Sequence, residues 1–371
     1  MVPFPTSRKC SCVSFTRDVR FCLKSFMKKI KLGIVGLNFG KQIVEQLLKE
    51  QSRLFEISVL CDLDIKKTGE IAKKNGLECR TVSDYDEMLA DKELVAVGIF
   101  TGPGGRAGMV RKAVNAGKHV MTTKPFETDP KAALEVLRYA RKKGIAVHLN
   151  SPSSIPSNDI TLIEGWIKKY QLGKPVAARM DVWASYREKA DGSWYDDPDK
   201  CPVSPVFRMG IYLINDLVRL FGEGDEATVL YSRLFTGRPT PDNAQLGILF
   251  KNGMLANIFA SFCVNDGDFY RNSLTLNFEN GTIYRNCGPR RNNLRHGGAE
   301  MQLVMVSGEK RKIVADLVTS STSGGYDWDS FYKAVTGRKL EGEIEPEAIV
   351  AGLKIIEAMR KAAKSGRIEK I

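Results

Sequence analysis

A lysine that directly follows a predicted β-strand is the first residue whose position suggests chemistry. Lys124 comes after the apolar segment His119–Thr122 and before Pro125. Proline disfavours helical backbone at the residue before it, so the lysine side chain projects from an extended segment. Open α/β sheets bind ligands beyond the carboxyl ends of their strands. Lys124 is therefore a candidate for polarising a hydroxyl or carbonyl oxygen of a bound molecule, although a lysine at a strand end is more often a solvated cap.

A turn near the start of the chain has the character of a phosphate-binding turn. An apolar strand precedes it, a predicted helix over residues 42–49 follows it, and it reads Gly36-Leu37-Asn38-Phe39-Gly40-Lys41. Gly36 permits a tight turn, and the free N–H groups at the helix start attract a pyrophosphate. Asn38 and Lys41 replace the second and third glycines of the G-x-G-x-x-G pattern, and Gly40 comes one position early. The motif predicts that Gly36, Asn38, Phe39 and Gly40 bind a dinucleotide.

Asp62, at the end of the second predicted strand, extends this motif. A carboxylate there can accept hydrogen bonds from both hydroxyls of the adenosine ribose, and it repels a 2′-phosphate. The sequence therefore predicts NAD as the cofactor, while Lys66 and Lys67, one helix turn away, leave room for NADP. The alternative interpretation is a turn that merely opens a helix, with a capping aspartate.

The order of the predicted elements divides the chain into two halves. From Ile30 to Val147, apolar strands alternate with helices, which indicates a parallel sheet covered on both faces. After Asn150, alternating strands joined by Asn-Gly turns predict an antiparallel meander, with the helices Met209–Phe221 and Pro346–Ser365. The fold class is therefore α/β, with an N-terminal Rossmann domain (27–150) and a C-terminal α+β domain with an open, mostly antiparallel sheet (151–371). An open sheet of this kind commonly pairs with another copy, so we expect a homo-oligomer.

Composition and charge exclude several classes of protein. The chain has 371 residues, 43% hydrophobic and 27% charged, which is typical of a globular protein. Of the net charge of +13, a large part lies in the first thirty residues, with seven basic side chains and one acidic. We interpret residues 1–26 as a disordered extension before Met27. No segment is apolar enough to span a membrane, and the interspersed lysines do not predict nucleic-acid binding. The eight scattered cysteines indicate a reducing cytoplasm and no zinc site.

The segment around Lys124, together with the preceding motifs, resembles the Gfo/Idh/MocA oxidoreductases, the family of glucose-fructose oxidoreductase and inositol dehydrogenase. The resemblance covers residues 30–371 and includes Thr101-Gly102-Pro103, Trp194–Pro198, Gly210–Asn215 and the closing Ser365-Gly366-Arg367-Ile368. It implies a Rossmann domain followed by an open mixed sheet. It also implies an NAD(P)-dependent dehydrogenase or reductase that acts on a CH–OH group of a sugar, polyol or sugar acid. In this interpretation Thr101, Pro103 and Lys124 contact the cofactor, and Trp194 contacts the substrate.

The chain departs from the family pattern at several positions. Thr123 stands where the family usually has glutamate, and Arg208 where it commonly has aspartate. Tyr212 takes the place of histidine and resembles the glucose-fructose oxidoreductase and dihydrodiol dehydrogenase branches, in which this tyrosine is the acid/base. Asn215 replaces a frequent aspartate. Arg208 and Asn215 become candidates for binding substrate. Arg208 suits an acidic substrate, unless it merely pairs with the nearby Asp196 or Asp197.

These substitutions leave two functional hypotheses open. The three histidines (His119, His148 and His296) lie in predicted strands or a polar loop, so Lys124 and Tyr212 remain as proton carriers. A positive lysine beside a phenol favours the phenolate, and burial lowers the pKa of lysine, so the pair could pass a proton near neutrality. The alternative is a non-catalytic dinucleotide-binding sensor. The altered motif positions favour the sensor, whereas Lys124 and Tyr212 favour an enzyme.

Overall fold

A computed structural model describes residues 28–265, 270–286, 298–319 and 323–371. The predicted extension over residues 1–26, Met27 and His296 lie outside these residues. The first half forms a six-stranded parallel sheet, as the alternating pattern predicts, and its strand order is β3-β2-β1-β4-β5-β6. Its strands are β1 (Ile30–Val35), β2 (Phe55–Cys61), β3 (Arg80–Val82), β4 (Ala96–Ile99), β5 (His119–Thr122) and β6 (Val147–Leu149).

Helices cover both faces of this sheet, because its strand residues are apolar on both sides. The helices of this half are α1 (Leu37–Gln46, continued by a π-helical turn Leu47–Gln51), α2 (Ile65–Lys74), α3 (Tyr85–Leu89), α4 (Arg106–Asn115) and α5 (Pro130–Lys142). Apolar side chains of α1 pack with Leu32 and Ile34 on one face. Those of α4 and α5 pack with Val97 and Ile99 on the other. The predicted start of α1 at residue 42 is wrong, because the left-handed Gly36 lets the helix begin at once.

The second half forms a nine-stranded mixed sheet in the order β14-β13-β12-β11-β7-β10-β9-β8-β15. Its strands are β7 (Pro175–Trp183), β8 (Gly224–Ser232), β9 (Asn243–Phe250), β10 (Leu255–Ser261), β11 (Arg271–Phe278), β12 (Gly281–Asn286), β13 (Ala299–Ser307), β14 (Lys310–Thr319) and β15 (Glu369–Lys370). The turns at Asn252-Gly253 and Asn280-Gly281 connect antiparallel pairs, as predicted. The prediction of an antiparallel meander is wrong at the centre of this sheet, because β7 inserts between β10 and β11 and pairs in parallel with β10. The pattern analysis also missed β14 and β15.

The remaining helices are α6 (Asn158–Lys169), α7 (Ile211–Phe221), α8 (Trp328–Val335) and α9 (Pro346–Ser365), of which α9 has the predicted bounds. Helix α8 was not predicted, and it packs against the first sheet. Phe55 of β2 contacts Trp328, Phe331 and Tyr332, with ring centroids 5.3, 6.1 and 6.0 Å apart. Helix α8, which belongs to the second half of the chain, therefore packs against the sheet of the first half. Within the described ranges, no helix is both long and apolar enough to cross a membrane.

Candidate active site

A cavity of about 670 Å³ lies between the carboxyl ends of β1, β4 and β5 and the second sheet with α7. A cavity of this size suits a small-molecule ligand. Seven of the residues predicted to bind cofactor or substrate or to carry a proton line it: Phe39, Thr101, Pro103, Lys124, Trp194, Arg208 and Tyr212. Further lining residues that sequence reasoning missed are Tyr186, Glu188, Tyr195, Tyr270 and Ser323. The cavity therefore joins residues that are far apart in the chain.

The phosphate turn is held against the exit of the neighbouring strand. Gly36 has a φ of 86°, and a Cβ atom there would lie 2.8 Å from the carbonyl carbon of Phe100 and from the amide nitrogen of Thr101. A Cβ on Gly40 would lie 3.2 Å from Ile34. Both glycines thus permit close packing, and α1 begins directly at the turn with first-turn N–H groups that its own helix does not use. This geometry suits a bound pyrophosphate.

Asp62 lies beside the phosphate turn rather than in the wall of the cavity. One carboxylate oxygen accepts a hydrogen bond from the Leu37 amide at 2.7 Å. The other accepts from the Asp64 amide at 3.1 Å and from the Lys67 ammonium at 3.3 Å. Partial burial raises the pKa of Asp62, but these donors outweigh it and hold that pKa below its ordinary value. Asp62 is therefore an ionised carboxylate at the end of β2, where it can face an adenosine ribose.

Lys124 lies in the cavity wall and contacts α7. Its ammonium nitrogen donates to the carbonyl oxygen of Arg208 at 2.5 Å and lies 4.8 Å from the centre of the Tyr212 ring. Burial, reinforced by the positive charges of Arg208 and Arg106, lowers the pKa of Lys124 to about 7. A lysine with this pKa is partly unprotonated at neutral pH, so it can accept a proton as well as donate one.

Tyr212 is close to Lys124, but its hydroxyl group makes a different contact. The hydroxyl oxygen accepts a hydrogen bond from the Asn150 side-chain amide at 3.1 Å. Burial raises the pKa of Tyr212 well above its ordinary value. The expected phenolate is therefore wrong, because the loss of water around the hydroxyl outweighs the attraction of a lysine that faces the ring. Since Asn150 donates to the oxygen, the Tyr212 hydroxyl retains its own proton for donation.

Asn150 is a connecting residue that sequence reasoning treated only as the end of a domain. Its side-chain oxygen accepts from the Lys124 amide at 3.0 Å and from the Thr123 hydroxyl at 3.4 Å. Its side-chain nitrogen donates to Tyr212 and, at 3.1 Å, to the carbonyl oxygen of Gly324. Only 3% of Asn150 is exposed. The signal available in the sequence was an asparagine just past a predicted strand, and its burial in the structure requires the partners that it has.

Arg208 does not pair with Asp196 or Asp197. Its guanidinium makes two hydrogen bonds to the Glu188 carboxylate, at 2.6 and 2.9 Å, and lies 4.0 Å from the centre of the Tyr195 ring. Asp196 pairs with Arg238, and Asp197 with Lys200. The loop after β7 brings Glu188 to Arg208, and loop paths of this kind are set by tertiary packing.

Asn215 and Trp194 were both predicted to bind substrate, but only Trp194 lines the cavity. Asn215 is 4% exposed and donates to the Ser151 hydroxyl at 2.9 Å. Its side-chain oxygen packs so closely on α9 that a Cβ on Gly352 would lie 2.1 Å away. The prediction that Asn215 binds substrate is therefore wrong, since it lies in the packing between helices. Trp194 lines the cavity, and its indole lies next to Gly102.

Arg106 is a further residue that the sequence analysis missed. It is 1% exposed, and its guanidinium donates to the carbonyl oxygens of Thr101, Thr123, Pro125 and Phe126. It thereby holds together the segments that follow β4 and β5. Burial lowers the pKa of Arg106 to about 10. The structure begins α4 at Arg106, where the helix dipole disfavours a positive charge, and these carbonyl oxygens compensate that charge.

Two histidines lie away from the cavity. His119 accepts a hydrogen bond from the Ala146 amide at 3.1 Å, and His148 packs against Phe331 with ring centroids 5.4 Å apart. Over residues 28–265, 270–286, 298–319 and 323–371, no group of three histidine, cysteine or acidic side chains could hold a metal ion. The titratable groups that line the cavity are therefore lysine, arginine, tyrosine and glutamate side chains.

The Rossmann sheet, the phosphate turn and the lysine at the strand end together have the arrangement of a dinucleotide-binding site. Residues 30–151 match the family model described as an oxidoreductase family with an NAD-binding Rossmann fold. Residues 161–284 match the model of the GFO/IDH/MocA C-terminal domain. The chain belongs to the Gfo/Idh/MocA family of NAD-binding oxidoreductases.

Similar proteins include an uncharacterized oxidoreductase of Schizosaccharomyces pombe, 27% identical over 54% of each chain. Inositol 2-dehydrogenase/D-chiro-inositol 3-dehydrogenase of Lactiplantibacillus plantarum is 26% identical over 31% of this chain and 33% of its own. The protein thus spans about half or less of the length of these curated relatives. Among solved structures, a putative NADPH-dependent oxidoreductase of Desulfitobacterium hafniense has a TM-score of 0.76 and 14% identity over 92% of this chain and 98% of its own. Levoglucosan dehydrogenase with NADH and L-sorbose has a TM-score of 0.71 and 16% identity, over 93% and 99%.

Proposed function

We propose that the protein is an NAD(P)-dependent dehydrogenase or reductase that acts on a CH–OH group of a neutral sugar or polyol. The observation that carries this proposal is the placement of the Lys124 ammonium against the ring of Tyr212, in a cavity beyond the strand ends. The cavity also contains the aromatic side chains of Trp194, Tyr195 and Tyr186. Apolar ring faces with polar edges suit the alternating surfaces of a sugar ring.

The residues of the chain that would hold the cofactor are spread over three strand ends. The N–H groups at the start of α1 would bind the pyrophosphate, and Asp62 would accept from the adenosine ribose. Thr101 and Pro103 would border the nicotinamide. The cofactor supplies the acceptor or donor of a hydride, and the protein supplies orientation and proton transfer.

In alcohol oxidation, the proton of the substrate hydroxyl must leave the oxygen as hydride departs from the carbon that bears this hydroxyl. The Tyr212 hydroxyl donates a hydrogen bond to the substrate oxygen and orients it. Unprotonated Lys124 accepts the hydroxyl proton, after which its ammonium form is stabilised by the Arg208 carbonyl oxygen. In carbonyl reduction, protonated Lys124 returns that proton. Two such donors aimed at one oxygen also stabilise the charge that develops on it.

The inositol dehydrogenase of Lactiplantibacillus plantarum and levoglucosan dehydrogenase both support a carbohydrate or polyol substrate. The charges around Arg208 favour a neutral one. Glu188 already occupies both arms of the Arg208 guanidinium. Arg238 contacts Glu188, Asp191 and Asp196, so two arginines here face three carboxylates. A substrate carboxylate would have to displace Glu188 from Arg208 and approach the three carboxylates with which these two arginines already pair.

Glu188→Gln is therefore expected to shift preference toward sugar acids. The change frees Arg208 from its anionic partner, so the ratio of kcat/KM for an aldonic acid to that for the matching neutral sugar should rise about tenfold, the scale of one charge-assisted hydrogen bond. Steady-state kinetics on matched substrates measures this ratio. Asp191→Asn is the control, because it removes a carboxylate that contacts Arg238 but not Arg208. Equal shifts in both variants would show that only bulk charge matters.

A substrate screen tests the proposed function directly. Purified protein is mixed with NAD⁺ or NADP⁺ and with neutral sugars, polyols and sugar acids, and the absorbance of the reduced nicotinamide is followed. Turnover of a neutral sugar or polyol supports the proposal. Cofactor binding without turnover of any of these substrates would favour the dinucleotide-binding sensor.

We also propose that the outer face of the second sheet pairs with a second copy of the chain. This face exposes Val176, Leu230, Leu255 and Ile368, and a groove of about 490 Å³ runs along it. Apolar sheet surface of this kind is usually covered by another molecule, and like faces pair around a two-fold axis.

Leu255→Glu should convert a dimer into a monomer, as measured by sedimentation, whereas Leu63→Glu on the first domain should leave the mass unchanged. A wild-type monomer, or a dimer that both variants retain, would contradict this pairing.

A further inference from the structure

Ser323 lies in the cavity wall near Tyr212, and the proposed proton transfer does not use it. The next residue, Gly324, has a φ of 109°, and a Cβ atom there would lie 3.0 Å from the Tyr212 ring. The carbonyl oxygen of Gly324 accepts a hydrogen bond from Asn150 at 3.1 Å. The backbone next to Ser323 is therefore held closely against the residue that would donate to the reacting oxygen.

Helix α7 carries the hydrogen-bond partner of Ser323 one turn beyond Tyr212. The Ser323 hydroxyl donates to a carboxylate oxygen of Asp216 at 2.9 Å. Asp216 follows Tyr212 by four residues, so the two side chains lie on one face of α7, about 6 Å apart along its axis. Ser323, which is partly exposed, thus borders the cavity about one helix turn away from Tyr212.

Buried charges fix the protonation state of Asp216. The oxygen that accepts from Ser323 also accepts from the Arg285 guanidinium at 3.2 Å. That guanidinium donates further to Asp159 at 2.8 Å and to Asn272 at 2.9 Å. Burial raises the pKa of Asp216 to about 6, although Arg285 opposes this rise. The Asp216 carboxyl is therefore ionised at neutral pH, and an ionised carboxylate only accepts hydrogen bonds.

This arrangement fixes the direction in which the Ser323 hydroxyl can bond. Its single proton is donated to Asp216, so its oxygen has only lone pairs left for a molecule in the cavity. Donation to a charged acceptor also makes that oxygen a better acceptor, because hydrogen bonds in a chain polarise one another. A ligand hydroxyl group, which can donate, suits this oxygen. A ligand carboxylate, which only accepts, does not.

We propose that Ser323 is a substrate-specificity residue whose oxygen accepts a hydrogen bond from a second hydroxyl group of the substrate, away from the reacting carbon. Tyr212 donates to the reacting oxygen, and Ser323 accepts from the second hydroxyl about one helix turn away. The site therefore selects polyhydroxylated substrates over alcohols with a single hydroxyl group. This role rests on the proposed function and names the substrate group that the proposed function leaves open.

Binding of neutral sugars and polyols to the protein–NADH complex tests this role without turnover. Calorimetry gives the dissociation constants of D-glucose, L-sorbose, myo-inositol and any compound turned over in the substrate screen, together with their monodeoxy analogues. Wild type is compared with Ser323→Ala and with the matched control Ser273→Ala. The control removes a hydroxyl that also donates to an aspartate, Asp181 at 3.1 Å, but does not line the cavity.

In wild type, removal of one particular hydroxyl from a bound sugar should weaken binding by about tenfold, the scale of one hydrogen bond. Ser323→Ala should weaken binding of the parent sugar by a similar factor. The same deoxy analogue should then bind less than about threefold more weakly than the parent, because both changes remove one contact. Ser323→Thr, which keeps a hydroxyl, should restore the discrimination, and Ser273→Ala should match wild type.

Kinetics adds a second measurement for any sugar that is turned over. Ser323→Ala should raise KM about tenfold and change kcat by less than about threefold, since the second hydroxyl is bound equally before and during hydride transfer. Equal discrimination against the deoxy analogues in wild type and Ser323→Ala would overturn the proposal. A wild-type complex that binds none of these compounds would overturn it too. Binding without turnover would instead contradict only the proposed function, and the comparison with Ser323→Ala would still be measurable.

Discussion

Lys124→Ala is expected to reduce turnover by about a hundredfold or more, the usual effect of removing a positioned acid or base. The Lys124 ammonium is the cavity group whose lowered pKa suits proton transfer near neutrality. NADH affinity should change far less than turnover, because the phosphate turn and Asp62, which would hold the pyrophosphate and the adenosine ribose, lie away from Lys124. Steady-state kinetics with a titration of NADH measures both effects. A Lys124→Ala enzyme with near wild-type turnover would remove Lys124 from the mechanism.

The dependence of kcat/KM on pH should show in which protonation state Lys124 acts. In alcohol oxidation Lys124 must be unprotonated to accept a proton, so kcat/KM should rise through about pH 7 and then level off. In carbonyl reduction the protonated form donates, so the rate should fall over the same range. Lys124→Arg should abolish this titration, since arginine stays protonated. A step near the ordinary lysine pKa instead would show that burial does not act on Lys124 in solution.

Tyr212→Phe is expected to reduce turnover by a similar factor, about a hundredfold, because it removes the hydroxyl that donates to the substrate oxygen. The phenyl ring still lies beneath Lys124, and the Asn150 amide still has the Gly324 carbonyl as an acceptor. Folding should therefore be preserved, which thermal unfolding can check. Kinetics of the variant with the best substrate measures the loss. Near-full turnover without the hydroxyl would make Tyr212 a packing residue.

The double variant Lys124→Ala/Tyr212→Phe tests whether the two residues act on one oxygen. Its loss should be much smaller than the product of the single losses, because removal of either partner already disables the same proton path. A multiplicative loss would show that they serve separate steps. If the wild type is inactive with every substrate, no variant has activity to lose, and this result would favour the dinucleotide-binding sensor.

Local patterns in the sequence determined much of the scaffold. The alternation of apolar strands and helices predicts the first sheet, because strands buried on both faces must be apolar throughout. Gly36 marks a tight turn, and Pro346 and Gly366 mark the two ends of α9, because their backbone preferences act within a few residues. Lys124 could be placed at a strand end on the same local grounds. Its protonation could not, since burial by other elements lowers its pKa.

Only the tertiary structure decided what the site residues contact. Glu188 reaches Arg208 through a loop, and Asn215 packs against Gly352 of a distant helix, so neither contact has a local sequence signal. The insertion of β7 beside β10 is likewise long-range, because strand order depends on packing of the whole sheet. Asn150 acts by joining the segment after β5 to α7. Sequence spacing determines which residues share an element, whereas partners and desolvation depend on elements meeting in space, and these set the chemistry of the cavity.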